Sequence, residues 1–118
     1  MLLRYCAALC GVTMILACTN VVNAETGIAS IYAYKGEPAA NGERVSPNAL
    51  TAAHRSLPFG THVRVTNQRN GLSVIVRIND RGPYVHGRII DLTPASAHAL
   101  GFDGVQGLAP VTVERVSG

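Results

Sequence analysis

Hydrophobic and polar residues alternate in short runs along most of the chain, a pattern that predicts β-strands. The clearest run covers residues 72–78, where positions 72, 74, 76 and 78 are all apolar. Asn70-Gly71 just before it predicts a tight hairpin turn. Similar short runs predict the other strands, over residues 26–34, 62–66, 88–92 and 111–116.

Two short helices are predicted between the strands, each from a capping residue followed by proline. Ser46-Pro47 begins the first, which we expect over residues 49–56. Thr93-Pro94 begins the second, which continues through Leu100 and ends at Gly101. Five or six short strands with two short helices favour a small, mainly β, closed barrel, because closure leaves no exposed strand edge.

The first residues predict export from the cytoplasm. A basic start ending at Arg4 precedes an apolar run over residues 5–18, which is shorter than the about 20 residues of a membrane span. This arrangement is typical of a secretory signal peptide over residues 1–24, cleaved after Ala24, with one domain over residues 25–118. Residues 15–18 also resemble a bacterial lipobox, so a lipid anchor on Cys18 is the alternative.

Composition excludes several kinds of site. The cysteines all precede residue 25, so residues 25–118 contain neither a disulfide nor a cysteine-bound zinc. The histidines show no compact metal-ligand spacing, and we expect no metal and no cofactor; they are His54, His62, His86 and His98. A net charge of +3 is too mild for a nucleic-acid-binding domain, but it suits an anionic cell wall.

Three polar residues are candidates for chemistry. Glu43 lies in a loop rich in glycine, proline and asparagine, His54 follows two alanines, and Asp80 directly follows an apolar strand. A carboxyl beside apolar surface can hold a proton and act as a general acid. The alternatives are that Asp80 binds backbone N–H groups of its own turn or Arg81, that His54 packs in the core, and that Glu43 is solvated.

Asp91 stands between apolar residues and is expected to be structural. A lone carboxylate in such a strand is expected to pair with an arginine, Arg88 or Arg81.

Together these residues resemble the rare lipoprotein A family of septal lytic transglycosylases. The two most specific stretches are residues 51–54, Thr-Ala-Ala-His, and residues 79–83, Asn-Asp-Arg-Gly-Pro. The other matching stretches are residues 27–30 with Tyr32, 40–43, 55–61, 63–67, 70–71, 76–78, 87–93 and 97–101. The sequence departs from the family at Ile31, where the family usually has tryptophan. We also expect that these 118 residues hold no C-terminal glycan-binding domain, which many members of the family carry.

The resemblance implies a six-stranded double-psi β-barrel and cleavage of peptidoglycan between N-acetylmuramic acid and N-acetylglucosamine, leaving 1,6-anhydro ends. It implies Glu43 and His54 as residues on which activity depends, and Asp80 as the acid of related barrels. Glu43 or Asp80 is then the acid/base, and His54 orients the acid or stabilises charge. The residues expected to hold substrate are Tyr32, Asn41 and Arg81.

The protein is expected to act in the periplasm or cell envelope. It is expected to be a monomer whose partner is peptidoglycan. Two other functions fit the same sequence: an expansin-like protein that binds cell-wall glycan without cutting it, and a purely structural envelope protein. Fold alone does not separate them, because function depends on the site.

Overall fold

Residues 24–32, 36–103 and 107–117 are described by a computed structural model of the chain. Their backbone forms six strands and one helix. The strands are β1 (Ala24–Ile31), β2 (Thr51–Ala53), β3 (His62–Asn67), β4 (Ser73–Asp80), β5 (Arg88–Leu92) and β6 (Leu108–Ser117), and the helix is α1 (Pro94–Ala99). The strands close into a barrel in the order β1-β5-β2-β4-β3-β6, which confirms the predicted closed barrel.

Parallel and antiparallel neighbours are mixed in this barrel. Strand β1 pairs in parallel with β5, and β2 pairs in parallel with β4. The β3–β4 hairpin is antiparallel, as is β6 with both of its neighbours, β1 and β3. The parallel pairs join segments that are far apart in sequence, so distant loops meet on the barrel surface.

Branched aliphatic side chains fill the inside of the barrel. Val63 and Val65 on β3, and Val76 and Ile78 on β4, are fully buried, whereas Arg77 between the last two is partly exposed. The alternation in sequence therefore corresponds to inward and outward positions. Burial of each such side chain stabilises the fold by roughly 1.5–3 kcal/mol.

The helix predicted over residues 49–56 is wrong, because residues 51–53 form β2 instead. All three residues are buried, and this short strand hydrogen-bonds to β4 on one side and β5 on the other. Ser46-Pro47 begins only a turn, in which the amide of Ala49 binds the carbonyl of Ser46. The pairing of β2 with two strands outweighs the local preference that the capping pair predicted.

The second predicted helix is confirmed as α1. The Thr93 side chain caps it by accepting a hydrogen bond from the amide of Ser96. The chain leaves the helix at Gly101, whose φ of 80° favours glycine. Within the described part of the chain, no helix is long and apolar enough to cross a membrane.

Strand ends differ from the predicted limits by a few residues. Strand β1 ends at Ile31, whereas the prediction continued to residue 34; residues 33–35 lie outside the described residues. Strand β6 begins at Leu108, three residues before the predicted start. The predicted signal peptide also lies outside the described residues, except for Ala24, the first residue of β1.

Candidate active site

Four residues on four neighbouring strands lie in a row across the barrel sheet, which we call the polar row; two of them, Ser30 and Ala53, are buried. Ser30 on β1 lies opposite Asp91 on β5, Asp91 lies opposite Ala53 on β2, and Ala53 lies opposite Asp80 on β4. Opposite residues on paired strands project to the same face, and adjacent strands are about 4.8 Å apart. The Cα atoms of Asp80 and Asp91 are therefore roughly 10 Å apart, on either side of Ala53.

Asp80 is held by one of its two carboxylate oxygens. Its Oδ1 accepts hydrogen bonds from the backbone amides of Ala40, at 2.9 Å, and Arg81, at 2.8 Å. No side chain or amide of the described residues is hydrogen-bonded to Oδ2. The alternative in which Asp80 accepts N–H groups of its own turn is thus correct for one oxygen, which accepts from the Arg81 amide.

Glu43 is bound by an arginine instead. Arg77 donates from Nη1 to Oε2 at 2.7 Å and from Nη2 to Oε1 at 3.0 Å, and Asn79 donates to Oε1 at 3.1 Å. These hydrogen bonds, first from Arg77 and then from Asn79, lower the pKa of Glu43 from 4.5 to about 2. A carboxylate held in this way is ionised at neutral pH and has no proton to donate.

The loop over residues 36–45 joins these two carboxylates. Glu43 fastens the loop to β4, and the amide of Asn41 donates to the carbonyl of Asn79 at 3.2 Å. The Asn41 side chain accepts from the amide of Glu43 at 3.0 Å, which fixes the turn. The same loop supplies the Ala40 amide that binds Asp80. Glu43 therefore determines the position of an amide that binds the other carboxylate.

Tyr32 lies beneath this loop. Its side chain is 5% exposed and forms a small buried cluster with Ala39 and Val45. The ring therefore supports the loop and presents almost no surface on which a sugar could stack.

His54 is buried and hydrogen-bonded through both ring nitrogens. Nε2 lies 2.9 Å from Oε1 of Glu25 on β1. Nδ1 accepts hydrogen bonds from the amides of Ser56, at 3.1 Å, and Leu57, at 3.2 Å. The alternative of a hydrogen-bonded packing histidine describes this geometry.

Arg81 holds the turn that follows His54. Its Nη1 donates to the carbonyls of His54, at 3.1 Å, and Leu57, at 2.9 Å. The guanidinium lies 4.0 Å from the centre of the Phe59 ring, in a cation–π contact. One of the three guanidinium nitrogens of Arg81, Nη1, is therefore used within the protein.

Glu43, His54 and Asp80 belong to one connected set of contacts. The amide of His54 donates to the carbonyl of Asp80 at 3.1 Å, and Asn79, next to Asp80, donates to Glu43. The His54 side chain, however, points to Glu25 and its own turn, and has no hydrogen bond to either carboxylate. Nowhere in the described ranges do three His, Cys, Asp or Glu side chains form a group that could hold a metal ion.

Asp91 pairs with neither Arg81 nor Arg88, contrary to the prediction, and with no other arginine among the described residues. The Ser30 hydroxyl donates a short hydrogen bond to its Oδ1. Its Oδ2 lies 3.8 Å from the point that a Cβ on Gly82 would occupy, beside the ring of Tyr84. Neither Ser30 nor the position of Asp91 in the row was predicted. The parallel β1–β5 pairing joins these two residues, and it has no local signal in the sequence.

Comparison with known proteins agrees with this fold. A family model described as "Lytic transglycolase" matches residues 24–113. The chain is 61% identical over 92 residues to the "Probable endolytic peptidoglycan transglycosylase RlpA" of Nostoc sp., covering 75% of this chain and 24% of that protein. It is 51% identical over 94 residues to the "Endolytic peptidoglycan transglycosylase RlpA" of Neisseria meningitidis serogroup A, covering 78% and 39%.

A solved structure shares the fold. An expansin of Clavibacter michiganensis in complex with cellohexaose superposes with a TM-score of 0.65 at 22% identity, covering 80% of this chain and 50% of that chain. At this identity the likeness shows the fold alone.

These matches place the chain in the class of lytic transglycosylase domains built on a double-psi β-barrel. Within that class it belongs to the RlpA family, as the resemblance predicted. The chain spans 24% and 39% of the length of the two relatives.

Proposed function

We propose that this protein is an endolytic peptidoglycan transglycosylase. It cleaves glycan strands between N-acetylmuramic acid and N-acetylglucosamine and leaves 1,6-anhydro ends. One observation supports the proposal above all: Asp80 is held at Oδ1 by two amides, and no described residue is hydrogen-bonded to its Oδ2. Relatives of the chain carry this activity in their names. The relatives named for this activity are longer than the chain, which spans 24% and 39% of their length, so the activity is proposed from the match of one domain.

Asp80 is the acid/base in this mechanism, because Glu43 is fixed as a carboxylate by Arg77. A proton on Asp80 resides on Oδ2, since Oδ1 already accepts two N–H groups. Oδ2 gives this proton to the glycosidic oxygen, and the bond from C1 of the muramic acid to that oxygen breaks. The C6 hydroxyl of the same sugar then bonds to C1 and returns its proton to Asp80. No water attacks, so the carboxylate spacing of hydrolases does not apply.

The other site residues have supporting roles. Glu43 and Asn41 keep the Ala40 amide on Asp80, and Tyr32 supports the loop from below. Arg81 contributes its backbone amide to Asp80 and its side chain to the turn over residues 54–57. Asp91, held by the Ser30 hydroxyl, is a second carboxylate in the polar row, roughly 10 Å from Asp80 between Cα atoms.

Mass analysis of products tests the reaction. The protein incubated with purified peptidoglycan should release fragments with anhydro ends. Asp80→Asn keeps the side-chain shape but cannot carry the proton, so the rate should fall by about 10²-fold or more. Glu43→Gln should lose less, because it weakens a loop contact and leaves Asp80 intact.

Glu114→Gln on β6 is the matched control. It changes a carboxylate whose contact is Arg64 at 3.4 Å, and activity should be retained. If Glu43→Gln abolishes the reaction while Asp80→Asn leaves it, Asp80 is not the acid. Products with reducing ends would show hydrolysis instead.

An expansin-like glycan binder is the second candidate, because an expansin of the same fold binds cellohexaose. In that case the wild-type protein should sediment with peptidoglycan and yield no anhydro ends. Asp80→Asn would then leave the amount of bound glycan unchanged.

We also propose that the protein acts in the periplasm or cell envelope, as a monomer on peptidoglycan strands. The basic and apolar segment at residues 1–24 supports export, and the lipobox-like residues 15–18 support a lipid anchor on Cys18 as the alternative form.

A further inference from the structure

His54 is placed to organise a turn. We propose that His54 is a positioning residue, held by Glu25, which sets Asp80 through the turn over residues 54–57 and Arg81, and that it carries no proton in the reaction. This inference rests on the proposed transglycosylase function for its activity readout, but its structural readout is independent of that function.

The hydrogen bonds of the ring define its tautomer. Two backbone amides, from Ser56 and Leu57, donate to Nδ1, so Nδ1 is the unprotonated nitrogen. Nε2 then carries the hydrogen and donates it to Oε1 of Glu25. A proton added at Nδ1 would point at two N–H donors and would break both hydrogen bonds. Neither nitrogen is thus available to exchange a proton with substrate in this arrangement.

The contacts lead from the ring to Asp80 in three steps. Nδ1 draws the amides of residues 56 and 57 towards the ring and closes the turn. The closed turn presents the carbonyls of His54 and Leu57 to one nitrogen of Arg81. Arg81, fixed by its side chain, then directs its own amide to Oδ1 of Asp80 at 2.8 Å. Opening the turn would therefore loosen one of the two amides that hold Asp80.

Glu25 is a positioning residue one step further out. It lies on β1, opposite Val113 of β6, and its side chain is 39% exposed. Its carboxylate meets the His54 side chain, which is 7% exposed. Glu25 thus keeps the ring of His54 turned so that Nδ1 faces the two amides.

Substitutions can separate the two ring nitrogens. In His54→Asn the amide oxygen replaces Nδ1 as the acceptor of the turn, whereas in His54→Gln the amide nitrogen replaces Nε2 towards Glu25. We expect His54→Asn to keep the release of anhydro ends within about threefold of wild type. His54→Gln and His54→Ala should lose about 10-fold or more, because two hydrogen bonds of the turn are lost.

The pH profile of His54→Asn and the activities of two Glu25 variants should agree with this ranking. His54→Asn should retain the wild-type pH profile, and Glu25→Gln, which still accepts from Nε2–H, should exceed Glu25→Ala in activity. His98→Asn, at an exposed position on α1, is the matched control for the substitution itself. Equal losses of about 10²-fold or more in all three His54 variants would overturn the proposal, because the proposal requires that an acceptor at the place of Nδ1 preserves activity.

Nuclear magnetic resonance of the wild-type protein tests the tautomer directly. Long-range ¹H–¹⁵N correlation should show a protonated Nε2 and an unprotonated Nδ1 for His54 at the pH of the activity assay. The amides of Ser56 and Leu57 should exchange with solvent faster in His54→Gln than in His54→Asn. A proton on Nδ1, or equal exchange in the two variants, would overturn the proposal. A wild-type protein without anhydro products would instead refute only the proposed function, since these two readouts need no substrate.

Discussion

Glu43 and Asp80 are both carboxylates at the same end of β4, but they have different partners. Glu43 receives three hydrogen bonds from side chains, two of them from a guanidinium. Asp80 receives two from backbone amides, both at one oxygen. An arginine partner favours the charged carboxylate, whereas amide binding at one oxygen orients the carboxyl.

The ion pair of Glu43 should make stability depend on pH. The folded-state pKa of about 2 lies below the ordinary value of 4.5, so the unfolded chain binds this proton more readily than the folded protein. The stabilisation is therefore present above about pH 4.5 and is lost as the pH falls towards 2. We predict that the difference in Tm between wild type and Glu43→Gln is constant at neutral pH and shrinks across this window.

Glu114→Gln provides the comparison for this titration. Its pair with Arg64 is a single 3.4 Å contact between exposed side chains, so its Tm difference should be small throughout. A Glu43→Gln difference that grows towards acid would contradict the ion-pair assignment.

At the residue scale, the sequence predicts Glu43, His54 and Asp80 as candidates for chemistry but does not predict their partners. The partners of His54 and Glu43 are Glu25 and Arg77, which lie 29 and 34 residues away. Such pairings depend on how the strands are ordered in the barrel, which local patterns do not encode.

Among the elements, β2 and α1 show why similar local patterns had different outcomes. Both follow a capping residue and a proline, yet only the segment after Thr93-Pro94 is helical. The segment at residues 51–53 is needed between β4 and β5, where it closes the barrel. Longer alternating strands such as β4 were predictable, because burial on one face is recorded in the sequence itself.

The Thr93 hydroxyl should be important for the stability of the helix. It is fully buried, accepts from the amide of Ser96 at 3.2 Å and donates to the carbonyl of Ala49 at 2.6 Å. We predict that Thr93→Ala lowers the free energy of unfolding by about 1–3 kcal/mol, measured by urea denaturation. Thr93→Ser keeps the hydroxyl and should lose less. Equal losses in the two variants would show that the methyl group, rather than the cap, matters.

At the scale of the whole molecule, the first residues of β1 lie at the predicted cleavage site. Ala24 and Glu25 pair with Glu114 and Val113 of β6, so the barrel begins where the predicted cleavage occurs. Cleavage after Ala24 preserves Glu25 and its contact with His54, and so does processing at Cys18.

We predict that the protein recovered from cells begins at Glu25 or at a lipidated Cys18. Intact-mass measurement of the envelope fraction distinguishes these two forms. An unprocessed chain in the cytoplasm would contradict export, and a chain that begins beyond Glu25 would contradict the role proposed for that residue.

The polar row has a consequence for the time at which the protein becomes active. Its members come from four strands, and Ser30 and Asp91 are 61 residues apart in sequence. Since no single hairpin or helix contains even two of the four, a partly folded chain has no site. The proposed activity should therefore appear only when β1, β5, β2 and β4 have come together, so that its recovery during refolding measures the assembly of these four strands.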